Sequence, residues 1–380
     1  MIYKLSDIFD LQMGKTPTRS DLSYWQNGSY DWISISDLNT DRKYISDTKE
    51  RITTKAVRES GIKKIPANTV IMSFKLSIGK TAITSHDMFS NEAIMAFIDR
   101  KVIRINPDYI YYLLHALDWN KRANKAVKGR TVNKKIISQT QVNIPDYQTQ
   151  LRIVKIMDST RKRVKIQKDI LSKLDTLIKA RFVEMFGDPV QNSLNKPMVK
   201  LESLGDWKSG GTPARSNPNF YDGNINWFSA GELDSLFLFK KKEKITEEAV
   251  RKSSTKLFAK GSMLIGMYDT AAFKMGILKE PSCANQACAN IRANEKINVI
   301  WLYYELQAMK KYFLNQRHGV RQKNLTLKMI KQFEIPYFDL SLQNEFSNFV
   351  QQVDKSKVAV QKSLDETQKL YDSLMQEYFG

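Results

Sequence analysis

Two stretches of this chain repeat an apolar position every seven residues. In the first, Met157, Val164, Leu171, Ile178 and Met185 form an unbroken series. In the second, Phe346, Val353, Val360 and Leu374 lie on one series, while Val350, Leu364, Tyr371 and Tyr378 lie on another four residues later, with Lys357 and Thr367 as interruptions. Neither the stretch from Pro145 to Gly187 nor that from Pro336 to Gly380 contains an internal proline or glycine, so both are predicted to be long helices. A seven-residue stripe keeps facing a partner helix only if the two supercoil, and the simplest partner for each is the other. The alternative is two separate amphipathic helices, each lying on its own domain. Thr160, Gln167 and Arg181 break the companion stripe of the first helix, which leaves part of that face expected to be wet or to meet another subunit.

The remaining segments mix two periods. Short β-rich runs at 69–72 and 263–265 stand among turn residues such as Gly28, Gly79 and Gly223-Asn224, and helical spacing appears at 109–117 and 299–312. Each segment is predicted to be an α/β globule of about 140 residues, large enough to fold by itself.

The strongest signal is that the chain is written twice. Gly14-Lys15-Thr16-Pro17 returns as Gly210-Gly211-Thr212-Pro213, Asp31-Trp32-Ile33-Ser34 as Asn226-Trp227-Phe228-Ser229, and Asn91-Glu92-Ala93 as Asn285-Gln286-Ala287. Tyr111-Tyr112-Leu113-Leu114 returns as Tyr303-Tyr304-Glu305-Leu306, Gly129 with Asn133 as Gly319 with Asn324, and Ile144-Pro145 as Ile335-Pro336. Both helices end on Phe-Gly. The order never changes, so this is a tandem duplication. Between the anchors the halves diverge, as where Ser73-Phe74-Lys75-Leu76 faces Gly266-Met267-Tyr268-Asp269. One scaffold carries two different surfaces.

Charge narrows the partners. Sixty Lys and Arg against 40 Asp and Glu give a net charge of +20 in 380 residues, a balance that favours a polyanion, either nucleic acid or an anionic membrane surface. No apolar run approaches the roughly 20 residues that span a bilayer, and the opening Met1-Ile2-Tyr3-Lys4 does not begin a signal peptide, so the expected location is the cytoplasm with no membrane partner. Cys283 and Cys288, with only three histidines, do not make a four-ligand zinc site and read as small core residues.

Signs of catalysis are weak. Gly14-Lys15-Thr16 and Gly79-Lys80-Thr81 resemble the end of a phosphate-binding loop, but Phe9 and Phe74 stand where that loop needs its first glycine. Asp41-Arg42-Lys43 and Asp99-Arg100-Lys101 lack the further carboxylates of a two-metal nuclease site. Asn106-Pro107-Asp108-Tyr109 lacks the second proline of a methyltransferase stacking motif. No catalytic or metal-binding residue is assigned.

Basic residues concentrate before the terminal strand of each globule. Around Gly129 stand Lys121, Arg122, Lys125, Lys128, Arg130, Lys134 and Lys135, and around Gly319 stand Lys310, Lys311, Arg317, Arg321, Lys323 and Lys328. Such loops suit phosphate contact, and Asn133, Gln322, Asn324 and the arginines also suit base edges. A second candidate surface is the turn Thr16-Pro17-Thr18-Arg19 with its copy Thr212-Pro213-Ala214-Arg215, where proline fixes the turn and the hydroxyl and guanidinium are expected to stand free. Lys75 is added as a charged position on a divergent surface. Trp32 and Trp227 are read as core.

These residues, in this order and used twice, resemble the specificity subunit of type I restriction-modification enzymes. The resemblance is carried by the Lys4-Leu5-Ser6-Asp7 to Gly14-x-Thr16-Pro17 opening, the Trp32 to Leu38 stretch, Asn285-Gln286-Ala287-Cys288, and Ile144-Pro145 or Ile335-Pro336 leading into a helix. It covers essentially the whole chain. One departure is Asn91-Glu92-Ala93-Ile94, which lacks the glutamine of the second copy.

The resemblance implies two α/β (α+β) target-recognition domains, here 1–145 and 189–336, separated by two spacer helices, 146–188 and 337–380, that pair as an antiparallel coiled coil. Met157, Val164, Leu171, Ile178, Phe346, Val353, Val360 and Leu364 are then inter-helix packing residues. It also implies that each domain reads one half of a bipartite, asymmetric target on double-stranded DNA. The helices dock two modification subunits, which bind S-adenosylmethionine, and the assembly recruits restriction subunits that use ATP and magnesium. No cofactor is expected in this chain. A helix from Gln150 to Met185 would be about 54 Å long, which allows at most roughly 16 base pairs between half-site centres. The competing expectations are a self-sufficient DNA methyltransferase or nuclease with a divergent site, and a coiled-coil adaptor for acidic proteins.

Overall fold

Val70, Ile71 and Met72 are all buried, although a strand turns successive side chains to opposite faces, so both faces of their sheet must be covered. They are. Val70 and Met72 join Leu11, Met95, Phe97 and the helix residues Tyr109 and Tyr112, while Ile71 joins Ile33, Ile45, Ile65 and Ala96 on the other side. The structure, a computed structural model, describes residues 1–39, 42–75, 77–122, 124–126, 129–239, 243–316 and 324–380, and only the backbone of 39, 120, 122, 124–126, 129–131 and 269.

The first globule holds a five-stranded sheet in the order Phe9–Met13, Ile94–Asp99, Val70–Ser73, Thr81–Thr84, Tyr44–Ile45, antiparallel except for the last pair. A three-stranded sheet of Glu50–Ile52, Tyr30–Ile33 and Phe89–Ser90 lies beside it, and Ile2–Lys4 pairs with Gln141–Asn143. The second globule repeats the order with Gly205–Ser209, Cys288–Ala293, Met263–Gly266, Met275–Leu278 and Phe237–Leu238. Its three-stranded sheet is Lys244–Ile245, Tyr221–Phe228 and Cys283–Ala284, and Met198–Lys200 pairs with Glu334–Pro336. Asn106 and Asn298 start equivalent helices, Pro107–Ala116 and Val299–Asn315, by accepting from two backbone N–H groups each. The motif read for a methyltransferase resemblance at Asn106 is this cap.

The two proline-free stretches are helices of 40 residues each, Tyr147–Phe186 and Leu340–Phe379, which we call the first and second rods. At 1.5 Å per residue each is about 60 Å long. The chain divides into two compact units that do not follow its order: one is 1–168 with 362–380, the other 169–361. Each unit therefore holds one globule, the start of the rod that follows that globule, and the end of the other rod. The paired segments of the second unit run antiparallel, as Asp175 meets Lys357 and Arg181 meets Glu345.

The Phe-Gly endings explain why. Phe186 is buried against Phe182, Phe338, Phe346 and Trp301, and Phe379 lies against Tyr109 and Tyr112. The end of each rod thus enters a core. Of the inter-helix residues, Met157, Val164, Ile178, Phe346, Val353 and Leu364 are buried, while Leu171 and Val360 are half-buried. The breaks in the stripes, expected to be wet or to meet another subunit, are polar links within the chain. Gln167 donates to Ser363 at 2.8 Å and to Thr367 at 3.2 Å, Arg181 pairs with Glu345, and Lys357 pairs with Asp175 at 2.6 Å. Thr160, buried, donates to the Ile156 carbonyl of its own helix. A hydroxyl, an amide or an ion pair at these positions fixes which residues can face each other, a registry device.

One core group is out of place. Glu305 replaces Leu113 of the first globule, is fully buried, and neither carboxyl oxygen has a hydrogen-bond partner among the described residues. Burial pushes its carboxyl up to about 8. A carboxyl raised in the folded state stabilises fully only below its unfolded value near 4.5, and that contribution is lost as pH rises toward 8. Glu305→Leu is therefore expected to be more stable than the parent chain in urea unfolding. The gap should widen between about pH 4.5 and pH 8 and level off above; a gap independent of pH would contradict the assignment.

Candidate nucleic-acid interface

Both globules build the same turn from the same contacts. At Gly14 an added Cβ would stand 2.2 Å from the Asn91 carbonyl oxygen, and at Gly210 2.1 Å from that of Asn285, so only glycine permits the approach. The approach is made by hydrogen bonds from Lys15 N to Ser90 O (2.8 Å) and from Gly211 N to Ala284 O (2.9 Å). The indoles of Trp32 and Trp227 lie beneath, donating to the carbonyls of Lys15 (3.1 Å) and Gly211 (3.0 Å). Both rings are buried, as read from the sequence.

The hydroxyls and guanidiniums of this turn are not free. Thr16 donates to Glu92 and Thr212 donates to Gln286. The first copy's missing glutamine is thereby accounted for, since a carboxylate and an amide oxygen accept equally from a threonine. The Thr16 hydroxyl, opposed by partial burial, holds the Glu92 carboxyl below its usual range. Arg19 pairs with Glu50 and stacks on Trp25 at 3.9 Å and Trp32 at 4.7 Å, while Arg215 pairs with Glu243 and lies over Tyr221 at 4.8 Å and Trp227 at 5.0 Å. Glu243 raises the guanidinium of Arg215 above its ordinary value. A planar cation beside an aromatic face and a carboxylate engages both. The side chains remain about half-exposed, at 51% for Arg19 and 58% for Arg215.

The glutamates were missed in the sequence, though each stands two residues before a matched Ile-Thr, Ile52-Thr53 and Ile245-Thr246. Around the turn the copies differ. Asp31 is buried and accepts from His86, Thr48 and Arg51; burial alone would raise its carboxyl, but these three bonds hold it low. In the second globule Asn226 stands there and donates to Glu280 at 3.4 Å. Lys75, half-buried with its ammonium 5.5 Å from the Phe74 ring, adds to the field on Glu92, and Tyr268 occupies the matching place.

The basic loops are described in part. Lys128, Arg317, Arg321, Gln322 and Lys323 lie outside the described residues. For Lys125 and Arg130 the backbone forms a hairpin, Asn124–Ala126 with Gly129–Thr131, in which the two face each other in register. Asn133 is not a free base reader: its side chain accepts from Ile136 N and caps the helix Lys134–Gln139. The equivalent cap is Thr326 on Leu327–Gln332, so Asn324 is not its counterpart. Asn324 itself is described, half-buried, two residues before that cap.

The catalytic look-alikes have structural roles. Gly79 takes φ +87° in a turn against Trp119. Asp41 lies outside the described residues, and Arg42 pairs with Asp47. Lys43 joins Asp108 (2.7 Å) and Asp158 (2.5 Å), tying the first globule to the first rod together with Tyr112, which donates to Asp158. Lys101 pairs with Asp99. Burial pushes the thiols of Cys283 and Cys288 up to about 12. Among the described residues no cluster of His, Cys, Asp and Glu suits a metal ion, and no helix is long and apolar enough to cross a membrane.

The family pattern described as "Type I restriction modification DNA specificity domain" matches this chain twice, at residues 1–176 and 195–368. The chain belongs to that specificity family. The "Type I restriction enzyme MjaIX specificity subunit" of Methanocaldococcus jannaschii is 24% identical over 284 residues, which is 69% of this chain and 65% of that protein. The "EcoR124I/EcoR124II specificity subunit" of Escherichia coli is 29% identical over 152 residues, 38% of this chain and 37% of its own length. The matched stretches thus span less than two thirds of either relative. In fold, the chain is similar over its full length to the S subunit of a type I restriction-modification system from M. genitalium, with TM-score 0.61, 13% identity and 96% of that chain covered. It is equally similar to a chain solved in work on complex assembly and conformational transition of the type I system, with TM-score 0.62, 16% identity and 97% covered. Two α/β domains with two long helices, as the sequence led one to expect, are the fold of the specificity family.

The turn should be the fragile part of each specificity domain. Gly14→Ala or Gly210→Ala is expected to displace the turn and weaken duplex binding at least tenfold, about 1.4 kcal/mol, with the unfolding midpoint of the full chain shifted by only a few degrees. Fluorescence anisotropy beside a melting curve reads both; unchanged binding would remove the turn from the interface.

Proposed function

We propose that this chain is the DNA-addressing subunit of a type I restriction-modification complex, in which each recognition domain, 1–145 and 189–336, reads one half of a bipartite, asymmetric target. The spacer helices, 146–188 and 337–380, dock two modification subunits. Supporting this is the one turn built twice with the same threonine, arginine and tryptophan contacts, set in surroundings that differ at Asp31 against Asn226, His86 against Glu280 and Lys75 against Tyr268. An invariant frame with variable neighbours serves two readings better than one reaction. The cations of the Gly129 and Gly319 regions, with Arg19 and Arg215, supply phosphate and base contacts on double-stranded DNA.

The chain is the non-catalytic component. S-adenosylmethionine belongs to the modification subunits, and ATP with magnesium to the restriction subunits; the complex works in the cytoplasm. Purified chain with labelled S-adenosylmethionine and target DNA should transfer no methyl group, and adding modification subunits should start transfer to adenine. Turnover by the chain alone would establish the methyltransferase reading instead.

The rods set the distance between half-sites. Deleting one heptad from both removes about 10 Å of helix, and the preferred spacer should shorten by roughly 3 base pairs. A selection on spacer libraries that returns the parental spacing would refute the ruler.

A further inference from the structure

The excess charge of the rods sits in one segment. Residues 147–168 of the first rod carry seven Lys or Arg against one Asp, whereas the equivalent residues of the second rod, 340–361, carry two of each sign. The equivalence is fixed by Gln150 and Gln343. Each amide accepts from the backbone of the capping asparagine, Asn106 or Asn298 at 2.8 Å, and donates to the carbonyl five residues earlier, Pro145 at 3.0 Å or Phe338 at 2.7 Å. At that offset Arg152 stands for Glu345, Lys155 for Asn348, Arg163 for Ser356 and Lys165 for Val358. The fold does not require these cations, because the duplicate builds the same rod without them.

Arg152, Lys155, Lys162, Arg163 and Lys165 are all exposed, and among the described residues none of the five is in an ion pair. Arg152, Lys155 and Lys162, with Ile166, recur at three- and four-residue steps past Ser159, so they share one helix face. Ile153, Met157 and Val164, which enter the core or the helix seam, lie on the opposite side. The stripe therefore points away from the core of the first globule. Leu151 and Ile166 flank it, 38% and 45% exposed. Exposed leucine and isoleucine offer nothing to a phosphate backbone but suit the apolar seam of a docking helix flanked by carboxylates.

We propose that the stripe at 152–166 is a docking face for an acidic helix of one modification subunit, and that the equivalent face of the second rod holds its copy without that electrostatic component. This rests on the docking reading above and adds its chemistry: two docking sites of unlike charge, and hence of unlike salt response. Screening weakens exposed charge pairs as the Debye length falls from about 10 Å at 0.1 M salt to about 3 Å at 1 M.

The test is stoichiometry, by light scattering on the full chain mixed with the modification subunit of the same system. At about 0.1 M salt the wild type should hold two copies and at about 0.5 M only one. The charge-reversed variant R152E/K155E/K162E/R163E should hold one copy at either salt, while its melting curve and its anisotropy on duplex DNA stay unchanged. A neutral variant, R152Q/K155Q/K162Q/R163Q, guards against misfolding and should bind two copies with a flattened salt response. Two copies on the reversed variant with wild-type salt response would overturn this inference alone. Retained copies with lost duplex binding would assign the stripe to DNA and overturn it equally. A wild type that binds no modification subunit would bring down the docking reading and this inference with it.

Discussion

Everything in this molecule depends on a helix that cannot bury its own stripe. A 40-residue rod with one apolar seam is stable only against a partner, and the partner here is met through residues 164 to 200 positions away in the chain. The consequence is visible at Phe186 and Phe379, which close cores that their own preceding globules do not contain. Each compact unit is thus assembled from two distant stretches of sequence. The polar links at Gln167, Arg181 and Lys357 then fix which turn of one rod meets which turn of the other.

The duplication divides labour along the same lines. What is repeated is what holds: Gly14 and Gly210 in their close approach, Trp32 and Trp227 under the turn, Asn106 and Asn298 as caps, Gln150 and Gln343 at the rod entrances. What differs is what faces outward, or what fills one core differently, as with Glu305 against Leu113. The pair Asp31 with His86 against Asn226 with Glu280 shows the two copies exchanging acceptor and donor while keeping the contact. Such a frame tolerates change on its surface because its interior bonds are satisfied independently of it.

Much of this was legible in the sequence. The heptads, the absence of proline and glycine and the ordered repeat located the rods, the globules and the family, because long periodic segments announce themselves by spacing alone. The site was legible only as a neighbourhood. Thr16, Arg19, Thr212 and Arg215 stand out as candidates, but their engagement by Glu92, Glu50, Gln286 and Glu243 does not, because those partners lie 28 to 76 residues away and meet only when the sheets close. Asn133 was matched to Asn324 by residue type, whereas the shared physical role, capping a short helix, falls to Thr326. The crossing of the rods between units was equally beyond spacing, since a heptad specifies that a partner exists and not which globule its end will enter.

The central claim is that two similar frames with unlike surfaces address two stretches of one duplex. Mapping methylated adenines across a genome in cells that express this chain with its modification subunits tests it most directly. The account predicts a single motif made of two short, different sequence blocks with a fixed run of unread base pairs between them. A contiguous motif, or two blocks whose separation varies from site to site, would contradict it.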